Sequence, residues 1–187
     1  RRARAAYTRL VDLSLPFARP YRVRFDEAGA DGCARPSAIV RYLQDLAWHH
    51  SEAAGLDRAW YAARKMGWLV HGLELAIVGD AGYGETVTVT TRIVGFRRMW
   101  ARRFSEVLAP DGSTVATAWI DWVLLSTAGH PIRIPAEMQT LVSGSSPFTP
   151  TRVPLEEPPS DALTLRSAVR PADVDPMGHV NNAAYLD

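Results

Sequence analysis

The stretch that most limits how this chain can fold is a helix whose apolar surface is too broad for one stripe. Residues 37–54 place Ile39, Val40, Leu43, Leu46, Ala47, His50 and Ala54 at three- and four-residue steps, and Trp48 and Ala53 widen that surface. A helix of this kind is buried on several sides. Pro36 suits the first helical position and Gly55 the end. The remaining elements must therefore wrap it. Residues 21–25 alternate apolar and polar before the helix, the mark of a half-buried strand. After the helix comes a short, partly helical connection at 56–65. Four strand-like segments follow, at 67–78, 85–94, 99–108 and 114–125. The last two flank Pro110-Asp111-Gly112, a hairpin signal. Asp80-Ala81-Gly82-Tyr83-Gly84 is a turn, and 131–138 closes the unit. The economical packing of this order is α+β: a curved antiparallel sheet wrapped around one long central helix.

Proline divides the rest. Residues 143–160 hold Pro147, Pro150, Pro154, Pro158 and Pro159 and read as a semi-extended linker that packs no core. The division is then a lead-in at 1–20, a first domain at 21–142, the linker at 143–160, and the start of a second domain at 161–187. In that last part, 163–169 alternates like a strand and leads into Asp173-Val174-Asp175-Pro176-Met177-Gly178-His179-Val180-Asn181-Asn182. The beginning of the first domain repeats this order of strand, acidic turn and helix. Matching Asp26 to Asp173 sets Ala28 against Asp175, so the first copy lacks the second carboxylate.

Composition excludes several classes. A net charge of +1 argues neither for nucleic acid nor for an acidic tail. Cys33, the single cysteine, permits no intrachain disulfide, which fits a reducing, cytoplasmic setting. No apolar run approaches the ~20 residues of a membrane span. Adjacent His49 and His50 point in different directions on a helix, and no Cys or acidic pair completes a site, so neither metal nor cofactor is expected. Glu52 reads as a solvated helix end and Cys33 as a small loop residue. Arg97, Arg98, Arg102 and Arg103 form the densest basic cluster, suited to an acidic or phosphate-bearing partner and equally to a solvated hairpin edge.

The terminal motif, with Glu27-Ala28-Gly29-Ala30-Asp31, Leu43-Gln44-Asp45, Tyr83-Gly84-Glu85-Thr86-Val87 and Ile134-Pro135-Ala136-Glu137 in order, resembles the fatty acyl-ACP thioesterases, which carry two tandem hot-dog domains. Asp-x-Asp-Pro-Met-Gly-His-Val-Asn-Asn also resembles the 4-hydroxybenzoyl-CoA-type thioesterases. The resemblance implies a double hot-dog whose second copy is truncated here, and hydrolysis of acyl-ACP to free fatty acid in fatty acid biosynthesis. Acyl-CoA hydrolysis and a non-catalytic acyl-thioester binding module are the alternatives, and a homodimer is compatible with all three. Residue by residue, Asp175 and His179 match the family's catalytic Asp and His. Met177 stands where the plant enzymes have Asn, which pulls the motif toward the CoA type. A further Glu or Cys of the plant family falls beyond Asp187.

The chemistry of that reaction assigns roles. Thioester hydrolysis needs an activated water or nucleophile, a cradle for the oxyanion, and an acyl pocket. Asp175 supplies the base or nucleophile. His179 orients it or protonates the leaving thiolate, and Asn181 positions water or carbonyl. Gly178 and the backbone at Asn182, where a helix opens, offer the oxyanion donors. Ordinary turn and N-cap chemistry accounts for the same residues without catalysis. Arg97, Arg98, Arg102 and Arg103 would face the carrier. The sequence ending at Asp187 is expected not to turn over thioesters by itself.

Overall fold

The computed structural model describes residues 11–151, 154 and 156–187. Five strands form one antiparallel sheet in the order β1-β3-β4-β5-β2. They are β1 (Phe17–Arg22), β2 (Met66–Ile77), β3 (Thr86–Arg97), β4 (Trp100–Leu108) and β5 (Thr114–Ser126). The sheet grips α1 (Pro36–Ala53); α2 (Arg58–Ala63) and α3 (Ala136–Gln139) are short. Helix α1 begins with Pro36 at its first turn, and Gly55, with φ +82°, takes the left-handed turn that ends it. Ile39, Leu43 and Leu46 on α1 pack against Val87 and Val89 of β3, Val107 of β4 and Ile120 of β5. Each such buried side chain contributes roughly 1.5–3 kcal/mol. A second cluster joins Leu13, Leu56, Tyr61, Ile93, Leu124 and Met138 at the far end of the helix.

Two expectations at the start of the chain shift. The first strand lies at Phe17–Arg22 rather than at 21–25. Beyond it the Glu27 carboxylate turns back to accept the Arg24 N–H at 2.9 Å, which bends the backbone into a single 3-10 turn and leaves Phe25 exposed. Nor is the lead-in loose over its whole length. Leu13 is buried, its N–H donates to Leu141 C=O and its C=O accepts from Ile93 N–H. Residues 1–10, the rest of the lead-in, lie outside the described residues.

The linker does not run free. On the sheet face turned away from α1, Ser146 N–H donates to Val94 C=O at 3.0 Å and Thr151 N–H donates to Asp121 at 2.6 Å. Asp121 is buried and takes a two-pronged bond from Arg102, at 2.8 and 2.7 Å. β3 bulges between Ile93 and Gly95, where the strap crosses. A Cβ on Gly95 would sit 2.5 Å from the Ser146 carbonyl oxygen. Gly95→Ala is therefore expected to lower stability by about 1–3 kcal/mol. An unchanged melting temperature would mean that the strap tolerates displacement there.

The alternating segment at 163–169 forms no strand, and Leu163, Leu165 and Val169 are exposed. A strand exists only through a ladder partner. Among the described residues β2 pairs with β5 on one side, and 163–169 does not pair with its other edge. No helix among the described residues is long and apolar enough to cross a membrane.

Candidate functional site

The terminal motif folds back onto the first domain. Arg41 on α1 forms an ion pair with Asp187, and Met177 Cε comes within 3.4 Å of where a Gly67 Cβ would lie. Between the motif, α1 and the start of β2 opens a cavity of about 450 Å³. That volume falls within the range of small-molecule sites. Asp175, Met177, His179, Asn181 and Asn182 line one end, and Trp48, Tyr61, Ile93, Arg103 and Met138 extend the walls inward.

Within the motif the backbone does much of the positioning. Asp175 Oδ1 accepts the N–H groups of Met177, at 2.8 Å, and His179, at 3.1 Å. Asp175 N–H in turn donates to His179 C=O at 2.8 Å. Gly178, with φ +81°, supplies the left-handed residue that this turn requires. His179 thus orients Asp175 through its backbone, and among the described residues its ring bonds to no side chain. Asn181 is the N-cap of a 3-10 turn at Asn182–Leu186, accepting Ala183 N–H at 2.9 Å. Of the two expected backbone donors, Gly178 N–H is spent on Asp175 C=O at 2.9 Å. The Asn182 N–H has no hydrogen-bond partner among the described residues.

The repeat is real in its hydrogen bonds, but its register differs by one residue from the sequence match. Bridges join Ala28 to Ala34 and Val174 to Val180. Gly29 N–H donates to Cys33 C=O at 2.8 Å, as Asp175 N–H does to His179 C=O. Glu27 thus corresponds to Asp173, Gly29 to Asp175 and Cys33 to His179. Asp31 Oδ1 accepts Cys33 N–H at 2.9 Å and lies 2.9 Å from where a Gly29 Cβ would be. In the first copy a carboxylate two residues later does the structural half of the work of Asp175. At the position of the imidazole that copy has Cys33.

The arginine cluster does not form one exposed surface. Arg103 is buried and Arg102 is held by Asp121, so both are corrected out of a carrier-binding role. Arg97 and Arg98 remain exposed on the β3–β4 turn. Period-two alternation was the available signal, because two adjacent arginines on a strand must point to opposite faces. Also missed were Arg41, Gln44 and Ser51, polar residues of α1 that line the cavity. His50 is buried, stacks on Phe17 with centroids 4.8 Å apart, and meets Arg103. Burial and the neighbouring guanidinium push its pKa down to about 3, so it is neutral at physiological pH. His49 lies between Asp45 and Glu52, 3.4 Å from each. Among the described residues no cluster is arranged to hold a metal ion.

A single long helix gripped by an antiparallel sheet is the arrangement of the hot-dog thioesterase class. The fold superposes on the 12:0-ACP thioesterase from Umbellularia californica with a TM-score of 0.76, at 21% identity over 91% of this chain and 72% of that one. An acyl-ACP thioesterase from Bacteroides thetaiotaomicron gives 0.75 at 18% identity, over 91% of this chain and 70% of that one. Residues 14–141 match the family profile of the acyl-ACP thioesterase N-terminal domain, and the chain belongs to the acyl-ACP thioesterase family. It is 25% identical to the chloroplastic palmitoyl-acyl carrier protein thioesterase of Arabidopsis thaliana over 201 residues, 95% of this chain and 47% of that protein. An acyl-carrier-protein hydrolase from Cuphea viscosissima, also chloroplastic, is 26% identical, again over 95% of this chain and 47% of its own length. The chain spans about half the length of the curated relatives it matches.

Proposed function

We propose that the protein hydrolyses the thioester of fatty acyl-ACP, releasing free fatty acid in fatty acid biosynthesis. The observation that carries this reading is the meeting of Asp175, His179 and Asn181 at one end of a cavity whose walls come from α1 and the sheet of the first domain. The acyl chain would enter the cavity with its thioester carbon beside Asp175. Oδ1 of Asp175 is committed to two backbone N–H groups, which leaves Oδ2 to take a proton from the water that attacks the carbonyl, or to attack it itself and form an acyl-Asp175 anhydride that water then hydrolyses. The carbonyl oxygen gains negative charge and meets the unused Asn182 N–H. The C–S bond then breaks, and the thiolate leaves with a proton from His179. Arg97 and Arg98 remain as cations for an acidic carrier. A tandem second domain, continuing from 161–187, would complete the site.

Acyl-CoA is the second reading, because Met177, which lines the cavity, stands where the plant enzymes have Asn and draws the motif toward the CoA-thioesterase type. Thiol release by the full-length protein from acyl-ACP and acyl-CoA of matched chain length separates the two. A larger kcat/KM for acyl-ACP supports the first, the reverse the second, and no release from either refutes both. His179→Ala is expected to lower kcat about a hundredfold. Because only the backbone of His179 holds Asp175, the variant should keep the parent's melting temperature. A rate within a few-fold of the parent would leave the ring without a catalytic part.

A further inference from the structure

The inner wall of the cavity carries a cation that nothing in the described chain neutralises. Arg103 lies on β4, two strands in from the β2 edge where the motif sits, roughly 10 Å across the sheet. It is 5% exposed and forms no salt bridge with any described residue. Its Nη1 donates to His50 Nδ1 at 3.1 Å and to Thr91 Oγ1 at 3.3 Å. Desolvation pulls its pKa down to about 10, so it still carries its charge at neutral pH.

The neighbours are donors as well. A guanidinium only donates, so His50 Nδ1 accepts and Nε2 holds the ring proton. That Nε2 is buried with no partner. Trp122 Nε1, on a residue that also lines the cavity, is buried and unpartnered too. An interior satisfied by the protein alone would balance donors with acceptors. In the cavity wall the Arg103 guanidinium and the Trp122 N–H are donors bound by no carboxylate among the described residues, and Gln44 Oε1 is the buried acceptor left open there. A pocket for a plain hydrocarbon has no use for them, because burying an unpaired charge is costly.

We infer that the far wall of the cavity receives a hydrogen-bond-accepting oxygen, so that the favoured acyl chain ends in a carboxylate rather than a methyl group. This rests on the cavity being the acyl site proposed above. The carboxylate would lie against the free edge of the Arg103 guanidinium, the arrangement in which charge-assisted bonds are strongest. The thioester end would remain at Asp175.

The test pairs two neutral-headed ligands at each length from octanoyl to hexadecanoyl: the methyl ester of the fatty acid, and the monomethyl ester of the matching dicarboxylic acid. Binding is read from tryptophan fluorescence, since Trp48, Trp68 and Trp122 line the cavity. At the best-fitting length the half-ester is expected to bind at least about tenfold more tightly. Arg103→Met should remove that preference, and Arg58→Met, which deletes a cation near the entrance, should keep it. Arg103→Lys, which retains charge but loses the planar fork, should shrink it and serves if the Met variant does not fold. Equal or weaker binding of the half-ester, or a preference untouched by either Arg103 substitution, overturns the inference and leaves the acyl site standing. Binding of neither series overturns both.

Discussion

Asp175→Asn in the full-length protein is expected to cut thioester hydrolysis about a thousandfold while the fold stays intact. The two halves of this expectation rest on different oxygens of one side chain. Oδ1 holds the turn by accepting the Met177 and His179 N–H groups, and a carboxamide oxygen accepts the same two bonds. The other oxygen carries the chemistry. In the variant it becomes an NH₂ group that can neither take a proton from water nor attack a carbonyl. The first copy of the repeat has already made a comparable separation. Asp31 caps the Cys33 N–H there, so the turn persists without a carboxylate at Gly29. Thiol release and circular dichroism on the same preparation check the result. A rate within a few-fold of the parent, with the fold retained, would make Asp175 a turn residue only. Asp175→Ala gives the complement: it loses the turn bonds as well, so it should fall in both rate and melting temperature.

Helix α1 and β2–β5 were legible because their periodicities are intrinsic to the sequence. An eighteen-residue helix apolar on several sides has few packings open to it, and Val87 and Val89 turn inward as alternation requires. What escaped was whatever depends on a partner. Residues 163–169 alternate as well as any strand, yet alternation fixes only which side chains share a face and cannot provide a neighbouring ladder. The repeat slipped by one residue because matching Asp26 to Asp173 by charge ignores length: Glu27, one methylene longer than Asp, makes the same return bond to the backbone N–H three residues before it. The motif itself was plain in the sequence, whereas its seat against Gly67 and Arg41 was not, since the contact spans the whole first domain. Arg103 was grouped with Arg97 and Arg98, which are surface cations, by nearness in sequence.

Asp121→Ala is expected to cost about 3–5 kcal/mol, the range found when one partner of a buried ion pair is removed. That is a large part of the roughly 5–15 kcal/mol that holds a domain folded. Asp121 is 2% exposed and accepts from Arg102 and from Thr151 N–H, so the substitution takes the carboxylate from a guanidinium, which keeps only Thr149 C=O and Thr151 Oγ1, and leaves a backbone donor open. Burial alone would raise the Asp121 carboxyl, but the Arg102 guanidinium and the Thr151 N–H outweigh it and hold the carboxyl below its ordinary value. A depressed folded-state pKa means stability that is fully present above the unfolded value of about 3.9 and is lost as pH falls through the folded one. The parent should therefore weaken in urea below about pH 5, and Asp121→Ala should show a smaller part of that decline. Asp12, held down by the Ser143 and Ser14 hydroxyls, and Asp111, Asp173 and Asp187, each also held below the ordinary value, continue to supply the remainder. Arg102→Ala and the double variant complete a cycle. Strong coupling between the two, and little further loss in the double variant, is the expected result. A cost under about 1 kcal/mol for Asp121→Ala, the scale of a surface pair, would mean that the strap rests on the sheet without being held by it. A held strap matters beyond stability, because it fixes Thr151 at the start of the segment that brings Asp175 to the cavity.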